Sequence, residues 1–294
     1  MKVTIIGFGE AGPVFAAQLH KVGAAVTAWD KLQEDASHGQ LQIEKTQALG
    51  ITPAASMRDA LQSAELVIST VTASQALKAA EQAIAGLPSG CHWLDLNSVS
   101  PSTKQAIHDT VSKNGVLFTE GVAMDTVPSK GIDVPLLLCG PQSASLSESL
   151  NEFGFSTRSI SNTLGAASTT KLLRSILIKG MEALFAESME AAGKVNMQNE
   201  VIASLQATYP ELDWREVAGY QLYRATQHAT RRAGEMREAQ NLVKQLGVEP
   251  IMTGAIAARQ QNLSDRDVTS KYSVSSTEKY EPTIEDYIRA IDRS

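Results

Sequence analysis

Cysteine is scarce in this sequence. Only Cys91 and Cys139 occur in 294 residues, with no C-x-x-C spacing. That excludes a disulfide framework and the paired thiolates of a zinc site, and both residues are expected as reduced, buried thiols. No apolar run approaches the roughly 20 residues that span a bilayer. Met1 runs directly into Val3-Thr4-Ile5-Ile6 without a basic and then apolar leader, so no signal peptide is expected. There is no basic excess either: 26 Lys and Arg against 32 Asp and Glu give a net charge of −6, which argues against a nucleic-acid-binding face. No metal-ligand spacing links His20, His38 and His108, which read as surface residues. No internal repeat is evident. What these absences leave is a cytoplasmic globular protein, 43% hydrophobic and 20% charged, long enough for two domains.

The first half alternates short β-rich runs with helical stretches. The runs are Val3–Ile6, Ala25–Trp29, Leu66–Ser69, His92–Leu96, Gly115–Phe118 and Val134–Cys139, with a helix over Pro13–Val22. Strands alternating with helices predict a mostly parallel, doubly wound Rossmann-like sheet, and the near-continuous apolar strands fit burial on both faces. From about residue 164 helical periodicity takes over. The sequence predicts one long helix over Ala166–Ala192 with Gly193 beyond its end, a helical block over Trp214–Leu246 closed by Gly247, and a third over about Thr253–Gln261. The tail, 262–294, is polar, and Thr283 with acids after it marks the N-cap of a short final helix. The expected organisation is therefore α/β: a dinucleotide-binding domain over residues 1–164 and an all-α domain over 165–294.

Gly7-Phe8-Gly9-Glu10-Ala11-Gly12 is a G-x-G-x-x-G motif that follows a strand and opens a helix, the context such a motif needs. Gly7 permits the tight turn, Gly9 leaves room for a pyrophosphate at the helix N-terminus, and Gly12 lets helix and strand pack closely. Asp30 stands 18 residues beyond Gly12 at the end of the second strand. A carboxylate there accepts from ribose hydroxyls and repels a 2′-phosphate, which favours NAD; Lys31 beside it partly offsets that repulsion and keeps NADP possible.

Three later segments are informative together with this loop. They are Ser69-Thr70-Val71-Thr72, Asp95-Leu96-Asn97-Ser98-Val99-Ser100-Pro101, and Gly165-Ala166-Ala167-Ser168-Thr169-Thr170-Lys171-Leu172-Leu173-Arg174-Ser175. They resemble the β-hydroxyacid dehydrogenases, the superfamily of 3-hydroxyisobutyrate and 6-phosphogluconate dehydrogenases, over nearly the whole chain. Lys179–Leu184 and Arg231–Met236 look like a 6-phosphogluconate-dehydrogenase-like branch of it. The resemblance implies a general acid/base at Lys171, cofactor contacts at Val71, Thr72 and Asn97, and a homodimer. A free lysine titrates near 10.4, so a base at Lys171 requires a site that depresses it, through burial or a neighbouring cation such as Arg174.

By spacing, Lys171 and Ser175 share a helix face. Asn97 and Ser98 lie beyond the carboxyl end of a strand, where open α/β sheets bind ligands, or they merely cap the next helix. Two departures from the superfamily bear on the substrate. Its usual Asp-Ala-Pro-Val-Ser-Gly-Gly loop is Glu120-Gly121-Val122-Ala123-Met124-Asp125-Thr126 here, and its asparagine pair after the lysine is Arg174 and Ser175. Met124, Asp125, Arg174 and Ser175 thus become substrate candidates beside Ser98. His228, Arg231, Arg232 and Glu235 fall on one helix face; they form either a clamp for an acidic substrate or an exposed Arg–Glu pair. Ile176, Leu177, Met181, Leu184, Phe185 and Met189 supply apolar surface for a second copy or for the same subunit, and the tail with Tyr272, Tyr280 and Tyr287 is expected to reach the partner.

The leading expectation is an NAD-dependent oxidoreductase acting on a small 3-hydroxy acid or related hydroxy compound. An imine reductase-like enzyme and a non-catalytic dinucleotide-binding protein are the alternatives.

Overall fold

The computed structural model describes residues 1–227, 229–271 and 283–292. The chain forms two compact units, Met1–Lys171 and Leu172–Ser294.

The first unit holds strands β1 (Lys2–Ile6), β2 (Ala25–Trp29), β3 (Thr52–Pro53), β4 (Leu66–Ser69), β5 (His92–Asp95), β6 (Leu117–Ala123), β7 (Leu136–Cys139) and β8 (Thr157–Ser161). They make one sheet in the order β3-β2-β1-β4-β5-β6-β7-β8. Every pair is parallel except β6–β7. Helices α1 (Gly12–Lys21), α2 (Gly39–Gln47), α3 (Met57–Leu61), α4 (Ala76–Ala83), α5 (Pro101–Val111), α6 (Val127–Lys130) and α7 (Ser143–Glu152) connect the strands. Alternating strand residues supply two cores. Val3 and Ile5 pack with Phe15 and Leu19 of α1 and Leu150 of α7 on one face. Ile6, Val67 and Trp93 pack with Ala80 of α4 and Ile107 of α5 on the other. Strand order reverses between β1 and β4, the switch point at which open α/β sheets bind ligands.

The predicted mostly parallel Rossmann-like sheet is present, with two differences. β3 and β8 carry no apolar run: β3 is two residues and β8 is the polar TRSIS, and both are edge strands that bury little. The expected strand over Gly115–Phe118 starts at Leu117 and continues to Ala123, because Gly115 takes the left-handed conformation (φ +72°) that ends the preceding turn. Both cysteines are buried free thiols, and burial pushes each up to about 11.

The long helix α8 (Ala166–Lys194) starts in the first unit and continues into the second, which also contains α9 (Gln198–Thr208), α10 (Trp214–Thr226), α11 (Ala229–Gln245), α12 (Ile251–Asp265), α13 (Val268–Lys271) and α14 (Ile284–Asp292). Gly193 does not end α8. A Cβ there would lie 3.0 Å from Ile288, so this glycine admits α14 against the helix. The stop comes at Asn196, in the left-handed region at φ +58°, a conformation asparagine tolerates after a helix. The block expected as continuous over Trp214–Leu246 breaks after Thr226, whose hydroxyl donates back to Tyr223 O (2.8 Å) while Gln227 turns extended. Thr283 caps α14 as expected: its Oγ1 accepts from Asp286 N (3.1 Å), and Asp286 accepts from Thr283 N in return (3.2 Å).

Tyr287 does not reach outward. It is fully buried, donates to Ala186 O (2.9 Å) and accepts from Arg259 (3.1 Å). Tyr272 and Tyr280 lie outside the described residues. On α8, Met189 is buried and Phe185 packs against the same core, whereas Leu177, Met181 and Leu184 are exposed.

Candidate functional site

The glycine loop lies where β1 ends. Gly7 turns at φ +91° and donates to Trp29 O (3.0 Å). A Cβ on Gly7 would sit 2.6 Å from Thr70 O, and one on Gly12 would sit 2.2 Å from Gly7 O. Both glycines are demanded by the protein's own packing. Gly9 is different: a Cβ there meets nothing within 4 Å. The space over Gly9 is open, beside the N-terminus of α1, where Ala11 offers no side-chain cap to the first-turn N–H groups. Open space and the positive end of a helix dipole fit the pyrophosphate of a dinucleotide.

Asp30 ties the loop to β2. Its Oδ2 accepts from Phe8 N (2.6 Å) and its Oδ1 from Leu32 N (2.8 Å). An ionised carboxylate has about four acceptor positions, so capacity remains for ribose hydroxyls. Lys31 is exposed next to it, and Glu10 is exposed on the loop.

The loop after β4 and the turn after β5 meet through Asn97. Its Oδ1 accepts from Val71 N (2.7 Å), and its Nδ2 donates to Ser69 Oγ (2.9 Å) and Asp95 Oδ2 (2.8 Å). Both amide donors are therefore committed within the protein, and Asn97 braces the Val71-Thr72 loop. Asp95 is held in turn by Lys104 of α5. The Lys104 Nζ donates to Asp95 Oδ1 (2.6 Å), Asp95 O (2.8 Å) and Gly121 O (3.0 Å), with both side chains fully buried. Three acceptors satisfy all three ammonium donors. The cap of α5 is neither Asn97 nor Ser98; Ser100 accepts from Thr103 N.

Ser98 is exposed, and its Oγ accepts from Lys171 Nζ at 2.9 Å. The start of α8, which carries Lys171, is anchored from the sheet. The fully buried Glu120 of β6 accepts from Gly165 N (2.5 Å) and Ser168 N (2.6 Å), and Cys139 Sγ accepts from Ala167 N (3.4 Å). Two first-turn donors of α8 and the N–H of Gly165 just before it thus end on strand side chains. Met124 packs with Ala166 and Ala167 at the same place, and Asp125 is exposed with its carboxylate on Thr126 N (2.8 Å).

The remaining candidates lie in the second unit. Arg174 is exposed and Ser175 half-buried. Arg232 is buried against Glu182, with Nη1 at 2.8 and 2.6 Å from its two oxygens, and Arg224 Nε adds a third contact at 3.1 Å. Burial outweighs the carboxylate and brings the Arg232 guanidinium below its ordinary value. Glu235 pairs with Arg231 and with Lys179 Nζ (2.8 Å). Burial opposes its charge, but Lys179, Arg231 and Arg232 prevail and hold its carboxyl low. His228 lies outside the described residues. Among the described residues no His, Cys, Asp and Glu cluster could hold a metal, and no helix is long and apolar enough to cross a membrane.

Sequence reasoning missed Glu120 and Lys104 as parts of this site. Glu120 left a usable signal, a carboxylate inside the otherwise uncharged strand LFTEGVA. Lys104 left none, since a helix lysine normally points to solvent.

The sheet, its glycine loop and the switch point define a dinucleotide-binding α/β protein followed by an all-helical region. Residues 2–122 match the NAD-binding domain of 6-phosphogluconate dehydrogenase, and residues 192–263 match a domain of unknown function, DUF1932. A conserved hypothetical protein from Sinorhizobium meliloti 1021 is 28% identical, with a TM-score of 0.81 over 99% of this chain and 96% of its own. The conserved protein MTH1747, of unknown function and structurally similar to 3-hydroxyacid dehydrogenases, is 30% identical, with a TM-score of 0.77 over 90% and 97%. An NAD-dependent L-serine dehydrogenase of Pseudomonas aeruginosa is 22% identical over 72% of this chain and 71% of its own. The fold is shared with Mycobacterium tuberculosis 3-hydroxyisobutyrate dehydrogenase (13% identical, TM-score 0.74, 99% and 98% covered) and with an imine reductase from Aspergillus terreus (21%, 0.56, 90% and 94%). The chain belongs to the 6-phosphogluconate dehydrogenase-like family of 3-hydroxyacid-dehydrogenase-type proteins.

Proposed function

We propose that this protein is an NAD-dependent dehydrogenase of a small 3-hydroxy acid or related hydroxy compound, with Lys171 as general acid/base. The observation that carries the reading is the contact between Lys171 Nζ and Ser98 Oγ, 2.9 Å, on the first turns of a helix that Glu120 anchors to the sheet. When bound, the nicotinamide supplies the hydride acceptor. Lys171 takes the proton of the substrate hydroxyl in the oxidising direction and returns it in the reducing one. Ser98 orients the lysine or the substrate hydroxyl. Gly7, Gly9 and Gly12 with α1 take the pyrophosphate, and Asp30 favours an unphosphorylated ribose.

Family likeness to 3-hydroxyacid dehydrogenases supports a carboxylate on the substrate. The exposed Leu173, Leu177, Met181 and Leu184 of α8 support a homodimer, and the buried free thiols support a cytoplasmic location.

The test follows reduced-nicotinamide absorbance with NAD or NADP and a panel of 3-hydroxy acids, wild type beside Lys171→Ala. A 10²–10⁴-fold fall in turnover with NADH binding intact is expected. Unchanged turnover in the variant sinks Lys171 as catalyst. Imine reduction that persists in the variant would favour the imine reductase reading.

A further inference from the structure

We infer that Lys45, which belongs to no recognised motif, supplies positive charge to a phosphate of the bound dinucleotide. This rests on the cofactor part of the reading above and not on the assignment of Lys171.

Lys45 lies on α2, 36 residues from the glycine loop, and folds back onto it. Its Nζ donates to Gly9 O (2.8 Å) and Phe8 O (3.0 Å), and lies 5.8 Å from the centre of the Phe8 ring. Phe8 itself is fully buried, so the ammonium rests on a fixed floor. Two of the three ammonium donors are used in this way, and the residue is otherwise exposed.

Anchoring alone does not call for a charge here. Phe8 O already accepts from the buried amide of Gln42 (2.9 Å), a neutral donor one helical turn away. Lys45 adds a full positive charge at the residue whose missing side chain leaves the loop open. The N–H groups of the loop and of α1 provide only partial charges, about half a unit at a helix N-terminus. A pyrophosphate carries more negative charge than that offsets. The ammonium is bonded to a carbonyl of the loop that takes the pyrophosphate, and one unit charge at the loop changes anion affinity by about tenfold. The same charge would serve a 2′-phosphate, so phosphate is the shared chemistry and the position of the phosphate is left to the test.

NADH and NADPH are titrated by fluorescence into wild type, Lys45→Arg, Lys45→Gln and Lys45→Met at low and high salt, with thermal unfolding as the folding control. Gln keeps a donor for the loop carbonyls and removes the charge; Arg keeps the charge. The expected result is affinity weakened about tenfold in both neutral variants, a shallower salt dependence, and Lys45→Arg within about twofold of wild type. Equal losses for NADH and NADPH assign the charge to the pyrophosphate, and a larger loss for NADPH assigns it to the 2′-phosphate. Wild-type affinity in both neutral variants overturns the inference, and so does wild-type affinity in Lys45→Gln with a loss only in Lys45→Met, which makes Lys45 a tether. If wild type binds neither nucleotide, the cofactor reading fails and takes the inference with it.

Discussion

Lys171 and Ser98, 73 residues apart in the chain, meet through a hydrogen bond of 2.9 Å. One comes from the second turn of α8 and the other from the turn after β5. A single hydrogen bond of this kind contributes about 0.5–1.5 kcal/mol. Ser98→Ala should therefore lower turnover by about 2–10-fold, with nucleotide affinity unchanged. A loss as large as that of Lys171→Ala would mean that the serine has a chemical role of its own.

The three loop glycines should separate by experiment. Gly9→Ala places a methyl group in space that no protein atom occupies. Its thermal midpoint should hold or rise slightly, since alanine restricts the unfolded chain by about 0.4–1 kcal/mol, while NADH binding falls at least tenfold. Gly12→Ala forces a methyl group to 2.2 Å from Gly7 O and should cost about 1–3 kcal/mol of stability before any ligand is added. Equal behaviour of the two variants in unfolding and binding assays would contradict the distinction.

Glu120 should matter to stability more than its place in a strand suggests. Glu120→Ala leaves the N–H groups of Gly165 and Ser168 without their acceptor. The orphaned buried donor of Ser168 alone costs about 1–3 kcal/mol. A fall of that order in the unfolding free energy from urea melts is expected, with Glu120→Gln intermediate because it keeps one acceptor oxygen. An unchanged midpoint would show that water or another group caps α8 equally well.

Acid should destabilise the first unit through His92. Burial lowers its pKa to about 4, and its Nε2 lies 2.7 Å from Thr119 Oγ1. The unfolded chain binds a proton at this histidine near 6.5, and the folded chain does not until about 4. Stability from this group is therefore complete above the unfolded value and is lost as pH falls from about 6.5 to 4, by up to ~3 kcal/mol. His92→Gln should flatten that part of the midpoint-against-pH curve. A curve with the same slope in both proteins would assign the acid loss to other groups.

Much of the first unit was legible in the sequence because its signals are local. A β-branched run, a glycine turn with its helix and an acid at the end of the next strand depend on residues within about 30 positions. The N-cap of α14 was legible for the same reason, since Thr283 and Asp286 are neighbours. Edge strands such as β8 were not, because a strand that buries little needs no apolar pattern. The end of α8 was misread because a glycine near a helix terminus has two uses: Gly193 makes room for Ile288, and Asn196 makes the stop.

The sequence by itself determined the α/β-then-α order, the glycine loop with Asp30 and the family. Backbone conformation and strand burial are written in adjacent residues, so those features need no knowledge of distant ones. Only the tertiary structure decided which polar groups are partners. It spends both amide donors of Asn97 inside the protein, buries Lys104 on Asp95, closes Arg232 onto Glu182 and sets Glu120 beneath the helix of Lys171. The physical reason is the cost of burying charge. A lysine or glutamate is stable in the interior only where the fold brings its counterpart to hydrogen-bonding distance, and that counterpart has no fixed spacing along the chain.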